Sequence, residues 1–279
     1  MRLKISLSQP FSLDYTLNSG QTFRWRKVGD SWYGVIGSAV VKARQIKDML
    51  DIQSDKELSK EVILGYFGLE DDLSTIYESI NKDWFIAAAI EKYKGLRIVR
   101  QDPWETIFSF ITATNINIGR VEKNLNRLCA KIGTAKMLNG VSLYTFPAPQ
   151  AILELGEDGL RETGFGYRSP WLLEAAKVVA SKEDLIPNLV EESYESARTL
   201  LLRSKIKGIG EKAADCILLF GFHKLESFPI DRWVRQSIAN NYAHLFDTTL
   251  ITNLKAKKHL DRASYNKIRK LMIEYFGRY

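Results

Sequence analysis

The chain has 279 residues, 45% of them hydrophobic and 26% charged, a globular balance that excludes a disordered or fibrous protein and allows one large domain or two ordinary ones. Forty Lys plus Arg against 33 Asp plus Glu leave +7, which favours an anionic partner, nucleic acid foremost, although an anionic membrane surface would suit the same charge. Two cysteines, Cys129 and Cys216, exclude a disulfide scaffold, a four-cysteine iron–sulfur cluster and a cysteine-rich zinc site; the three histidines, His223, His244 and His259, form no HExxH motif. A reducing, intracellular setting fits. Met1 to Pro10 lacks the apolar core of a secretory signal, and the longest apolar stretches, such as Ile217 to Phe222, are too short to span a bilayer.

Thr22 to Arg26 and Ser31 to Ile36 read as strands around a Lys27-Val28-Gly29-Asp30 turn, with Ala39 to Ala43 as a third. A curled antiparallel sheet is expected. From about Asp55 the period becomes helical. Trp84 to Ile90 sits in a helix that Gly95 is expected to end. Asp102-Pro103 supplies an N-cap and a first helical position, and Trp104, Ile107, Phe108 and Ile111 make one buried face. Ile118, Val121, Leu125, Leu128 and Ile132 make a second such face, and Trp171, Ala175, Val178 and Val179 part of another. Leu200 to Leu202 and Ile217 to Phe220 belong to two more helices. The expected class is α+β: a small β-containing domain over 1–95 and a helical domain over 96–279, packed tightly together.

The richest stretch is Ile206-Lys207-Gly208-Ile209-Gly210-Glu211-Lys212. Two glycines around one apolar residue let two helices turn sharply, with Ile209 plugging the corner. Backbone N–H groups at the start of the second helix would then suit a phosphate without reading any base, and a plain helical corner fits equally well. Lys212 falls in the first turn of that helix, where the dipole disfavours a cation; desolvation there would favour a neutral, nucleophilic amine. The plainer reading is an exposed lysine touching phosphate or solvent. Pro229-Ile230-Asp231 follows, with Asp231 placed as N-cap of a helix over Arg232 to Asn241. A capped carboxylate stays ionised and can also serve a neighbouring site by stabilising a sugar cation or accepting a proton.

Gly208-Ile209-Gly210-x-Lys212 followed by Pro229-x-Asp231 resembles the signature of the helix–hairpin–helix DNA glycosylase superfamily. Ser19 to Trp25, Gln101 to Glu105, Phe108 to Ile111, Asn115 to Arg120, Gly164 to Arg168 and Lys212 to Ile217, in that order, are similar to the eukaryotic-type 8-oxoguanine DNA glycosylase/AP lyase family in a compact prokaryotic form. The likeness runs from about Gly20 to the last residue. It implies a TATA-box-binding-protein-like sheet followed by a helical glycosylase domain. It implies Lys212 as the amine that forms a Schiff base at sugar C1′ before β-elimination, and Asp231 as the carboxylate that stabilises the oxocarbenium. By the same resemblance Gly20 offers its carbonyl to N7–H of 8-oxoguanine, and Cys216 packs its thiol on the flipped base. Asn115 fills the vacated stack, Arg120 and Arg168 read the estranged cytosine, and Tyr167 is the adjacent wedge. Gly208, Gly210 and Trp233 fall at phosphate contacts, Trp233 standing where some members carry histidine. The carbonyls of Ser204, Ile206 and Ile209 match a monovalent-cation site; no other metal and no cofactor is implied. The implied partner is double-stranded DNA containing 8-oxoguanine, with no membrane role, and the implied protein is a monomer, cytoplasmic and nucleoid-associated, in base excision repair. Family members continue past residues similar to Phe276-Gly277-Arg278-Tyr279 with a segment whose glutamine and aromatic read the base; this sequence has no match to it. Two other readings stand beside this one: a non-catalytic hairpin protein that grips DNA, and a glycosylase for another damaged purine.

Overall fold

The computed structural model describes all residues except Glu183, Lys205, 257–259 and Arg278, so His259 and the Arg278 of the terminal motif lie outside the described residues. The N-terminal part comprises β1 (Arg2–Ser6), α1 (Leu13–Asn18), β2 (Arg26–Val28), β3 (Ser31–Ile36), β4 (Ala39–Ile46) and β5 (Met49–Ser54). The strands form one antiparallel sheet in the order β1-β5-β4-β3-β2. Alternation buries both faces. Trp32, Val41, Ala43, Leu50 and Ile52 face a core closed by Leu13 and Leu17 of α1. Ile63 and Tyr66 of α2 (Lys60–Tyr66) complete that core.

Tyr33 and Val40 face the other way, onto Leu143. Leu143 belongs to a hairpin of β6 (Ala135–Leu138) and β7 (Val141–Tyr144) that comes from the helical part of the chain. Its turn is Asn139-Gly140, both at positive φ, the chemistry a two-residue hairpin loop demands. The hairpin is tied to the sheet by Lys136 to Asp55 at 3.0 Å and by the Asn139 amide donating to Gln53 Oε1 at 2.7 Å.

The expected strand over Thr22 to Arg26 is not one; only Arg26 joins the sheet, and β1 and β5 are further strands. The polar groups of the preceding segment are spent on tertiary contacts instead. The Trp25 indole donates to the Tyr66 hydroxyl at 2.7 Å, and Arg24 donates to Cys129 Sγ at 2.8 Å and to the Tyr144 carbonyl at 3.0 Å. Trp25 lies so close over Gly34 of β3 that a Cβ there would meet its ring at 2.3 Å.

After α2 the chain is α3 (Leu73–Ile80), α4 (Trp84–Lys92), α5 (Pro103–Thr112), α6 (Ile118–Ile132), the β6–β7 hairpin, the kinked α7 (Pro149–Glu162), α8 (Ser169–Ser181), α9 (Leu185–Glu191), α10 (Tyr194–Arg203), α11 (Glu211–Phe222), α12 (Arg232–Asn241), α13 (Thr248–Ala256) and α14 (Arg262–Phe276). Helix α4 stops at Lys92; Gly95, at φ +83°, serves a close approach to Phe11 and Ser12 rather than the cap. Helix α5 begins as expected, with Asp102 accepting from the Glu105 N–H at 2.8 Å and Pro103 at the first position. Trp104, Ile107, Phe108 and Ile111 are buried, and so are Val121, Leu125 and Leu128 of α6. Ile118, expected on that face, is instead exposed beside Gly20. A third core joins α12, α13 and α14, with Phe85 and Ile86 of α4 packed against it. Among the described residues no helix is long and apolar enough to cross a membrane.

Candidate active site

The turn from α10 to α11 is built as its glycines require. Gly208 sits at φ +91°, and a Cβ there would meet Ile111 at 2.9 Å and Trp171 at 3.0 Å. Ile209 is buried in the corner and its N–H returns to the Ile206 carbonyl at 3.3 Å. Gly210 is the exposed N-cap of α11, with no side chain closing the helix start and open space above it. Ser204 donates its hydroxyl to the Leu201 carbonyl at 2.6 Å and accepts from the Ile206 N–H at 3.4 Å.

Lys212 lies in the first turn of α11, half-buried, its Nζ 5.7 Å from the centre of the Phe110 ring. Phe110 stacks on Phe220 and takes the edge of Phe23, so the amine stands on an aromatic floor. One helical turn on, Cys216 is buried on the same face of α11 as Lys212. Burial pushes that thiol up to about 12, with Lys212 opposing the shift and Asp215 and Asp231 adding to it. The thiol is therefore neutral at physiological pH, and Lys212, Cys216 and Asp231 share one electrostatic neighbourhood. Asp231 caps α12 as expected, accepting from the Val234 N–H at 2.8 Å, and is half-buried.

Gly20 lies in the loop after α1, beside Ile118 of α6. It sits at φ +81°, and a Cβ there would meet Ile118 Cδ1 at 3.1 Å. The loop is pinned by Gln21, whose amide donates to the carbonyls of Thr16 and Arg97 and whose Oε1 accepts from Val99 N–H at 2.8 Å. Gln101 then donates to the Gln21 carbonyl at 2.7 Å, while its own N–H donates to the carbonyl of Phe220 at 2.8 Å. This path of hydrogen bonds ties the Gly20 loop to the helix that carries Lys212.

Three expected DNA-facing residues meet at the α5–α6 loop. Asn115 is exposed, at φ +55°. Arg168, 7% exposed, donates to the Thr114 carbonyl through Nε at 3.0 Å and also through Nη2, which reaches the Asn115 carbonyl at 3.3 Å. Its guanidinium lies 4.3 Å from the ring centre of Tyr167, which is exposed and edge-on to Trp171. Arg120 is exposed in the first turn of α6, which Asn117 caps. Trp233 is 70% exposed on α12, with Arg232 5.8 Å above its ring.

Sequence reasoning missed the polar cluster beneath α11. Asp215 is fully buried; Arg198 Nε donates to its Oδ1 at 2.6 Å, and the hydroxyls of Tyr194 and Tyr265 donate at 2.8 and 2.7 Å. Arg198 also pairs with Glu211, and Arg262 meets Glu211 at 2.9 Å. The available signal was a lone carboxylate inside the apolar run Ala213-Ala214-Asp215-Cys216-Ile217. Two clefts, of about 240 and 480 Å³, lie where the sheet segment meets α5 and α6, and Lys212 lines neither.

A sheet fused to helices, with a glycine-cornered hairpin presenting a lysine and a capped aspartate near it, defines a helix–hairpin–helix DNA glycosylase. Residues 2–107 match the family model of the 8-oxoguanine DNA glycosylase N-terminal domain. A probable N-glycosylase/DNA lyase of Methanothermobacter thermautotrophicus is 30% identical over 84% of this chain and 83% of that protein. The N-glycosylase/DNA lyase of Saccharomyces cerevisiae is 26% identical over 96% and 77%. The apo crystal structure of Clostridium acetobutylicum 8-oxoguanine glycosylase/lyase superposes with a TM-score of 0.85 at 26% identity, over 99% of this chain and 92% of that one. The chain belongs to the 8-oxoguanine DNA glycosylase/AP lyase family of enzymes, in a prokaryotic-like form.

Proposed function

We propose that the protein excises 8-oxoguanine, preferentially opposite cytosine, from double-stranded DNA and then nicks the strand. The observation that carries this is that Lys212 and Cys216 share one face of α11, a helix that Tyr265 bridges through Asp215 to the Ile230 N–H just before the capped carboxylate of Asp231. A purine inside the stack hides C1′, so the nucleotide must first be extruded, at a cost of roughly a few kcal/mol. The unprotonated Lys212 amine then attacks C1′. The bond to N9 breaks with its electron pair on the purine, which takes up a proton. Opening of the sugar ring gives the Schiff base, and loss of a C2′ proton expels the 3′ phosphate. Asp231, fixed at the start of α12 by its bond from the Val234 N–H, stabilises positive charge developing on the sugar.

Gly20 offers its carbonyl to N7–H of 8-oxoguanine, where guanine presents a bare acceptor; attraction against repulsion separates the two. Cys216, a neutral thiol, packs against the flipped base. Asn115 and Tyr167 hold the opened stack, and Arg120 reads the estranged cytosine. Arg168 adds its remaining donor capacity to that edge while its bonds to the 114–115 carbonyls set the loop. The hairpin around Gly208 and Gly210, with Trp233, takes phosphate without reading sequence. The Ser204, Ile206 and Ile209 carbonyls would hold a monovalent cation there. We assign the sheet part to residues 1–95 and the glycosylase part to 96–279, acting as a monomer at the nucleoid.

Borohydride trapping on an 8-oxoguanine·C duplex tests the reading. Wild type should leave a covalent protein–DNA adduct, and Lys212→Gln should leave none while still binding the duplex. Equal excision opposite A and C would remove the cytosine-reader assignment. Preference for an alkylated purine would replace the substrate, and an inert wild type would leave only a DNA-binding hairpin.

A further inference from the structure

Lys212 and Asp231 sit on different elements, nineteen positions apart, and displacement at C1′ needs both at fixed positions. No direct hydrogen bond joins their side chains among the described residues. What joins the two segments is a buried hydroxyl from a third helix, between a side chain of α11 and the backbone before Asp231. Tyr265 of α14 donates to Asp215 Oδ2 at 2.7 Å and accepts from the Ile230 N–H at 3.0 Å. Asp215 is three residues after Lys212 on α11, and Ile230 immediately precedes Asp231. A second tether runs parallel to the first: Ser227 donates its hydroxyl to the Asp215 carbonyl at 2.7 Å. The other oxygen of Asp215 is held by Arg198 and Tyr194 of α10, so the anchor cannot turn away.

We propose that Tyr265, bridging Asp215 and the Ile230 amide, is a positioning residue that sets the separation between the Lys212 amine and the Asp231 carboxylate. The proposal rests on the reading of Lys212 and Asp231 given above. Buried polar groups can serve stability alone, so the hydroxyl must be separated from the ring that fills the core. Tyr265→Phe keeps the ring and removes the bridge. Ser227→Ala removes the parallel tether at smaller structural cost, since the Asp215 carbonyl lies inside a helix.

The test compares wild type, Tyr265→Phe, Ser227→Ala and Lys212→Gln at a temperature where circular dichroism shows each fully folded. Three quantities are read: affinity for an 8-oxoguanine·C duplex, the single-turnover rate of base release, and the rate of borohydride-trapped adduct formation on a preformed abasic site. Tyr265→Phe should keep its affinity while both rates fall roughly 10–100-fold, the scale of a small misplacement of reacting groups. Ser227→Ala should move the same two rates in the same direction by a smaller factor. A purely structural role would lower the melting temperature and leave the rate per folded molecule at the wild-type value. Wild-type rates in both folded variants, beside an inert Lys212→Gln, would therefore overturn the proposal, as would a loss of affinity in step with the rates. If Tyr265→Phe does not fold, Ser227→Ala decides alone by the same criterion. Full trapping and excision by Lys212→Gln would instead overturn the reading of the site beneath it.

Discussion

The carboxylate of Asp231 caps α12 and, in the proposed mechanism, also stabilises charge on the sugar; substitution can split the two roles. As N-cap it accepts from the Val234 N–H at 2.8 Å, and asparagine caps a helix about as well as aspartate. As a charge it faces the neighbourhood of Lys212 and Cys216. Asp231→Asn should therefore melt within roughly 0.5 kcal/mol of wild type, while its single-turnover base release falls by about two orders of magnitude, the scale of losing one electrostatic contact to a transition state. Asp231→Ala should lose both cap and charge, with about 1 kcal/mol of stability gone as well. A rate loss seen only in the alanine variant would reduce Asp231 to a cap. Lys212, by contrast, has no comparable backbone duty. It stands on Phe110 in the first turn of α11, where a cation is mildly unfavourable, so its removal should not cost stability.

The α10–α11 hairpin argues at the scale of elements, because its two glycines differ in what they need. Gly208 has positive φ and neighbours at 2.9 and 3.0 Å, whereas Gly210 has φ −98° and nothing within 4 Å of a Cβ. Gly208→Ala should lower stability by roughly 1–3 kcal/mol through strain and overpacking. Gly210→Ala should fold normally yet bind DNA more weakly, since its methyl would stand over the open helix start. Denaturation midpoints and duplex affinities of the two variants check this. The hairpin was legible because helix-turn chemistry is local: Gly208, Ile209, Gly210 and the Asp231 cap all act on neighbours in sequence. The Asn139-Gly140 turn was equally legible and went unread between two short apolar runs. Tyr265, Ser227 and Gln21 were not legible, because each works by a hydrogen bond to a residue many positions away and leaves no period behind. Thr22 to Trp25 misled for the same reason, carrying strand residue types whose polar groups find tertiary partners. The far end of α11 carries a pH-dependent contact of this hidden kind. His223, at φ +54°, meets Asp71 Oδ1 at 3.1 Å, and Arg100 Nη2 donates to the same oxygen at 2.9 Å. Burial alone would raise the Asp71 carboxyl, but His223 and Arg100 hold it below its ordinary 3.8. A depressed carboxylate stabilises fully above the unfolded value and loses that contribution as pH falls through the folded one. Melting temperatures of wild type and Asp71→Asn should differ at pH 7 and converge as the pH is lowered below about 4.

Charge belongs to the molecule as a whole. The formal +7 comes from 40 bases over 33 acids, and many of the acids are spent internally: Asp215 and Glu211 on Arg198, Asp51 on Arg2, Asp55 on Lys136. Outward bases remain near the proposed DNA-facing loops: Arg120, Lys123 and Arg127 lie exposed on α6 at helical spacing, Lys207 in the hairpin and Arg232 on α12. Each base that neutralises a phosphate releases a counterion, so the logarithm of affinity should fall with the logarithm of salt at a slope of about 0.9 per phosphate met. Such contacts carry no base information. Lys207→Gln should therefore lower that slope by about one and weaken lesion and undamaged duplexes alike, leaving their affinity ratio at the wild-type value. Fluorescence anisotropy titrations over a salt series, on matched duplexes with 8-oxoguanine or guanine at one position, measure slope and ratio together. An unchanged slope would remove Lys207 from the phosphate track. A changed ratio with a constant slope would place it at the base instead, which the hairpin geometry, a turn built from backbone N–H groups, gives no reason to expect.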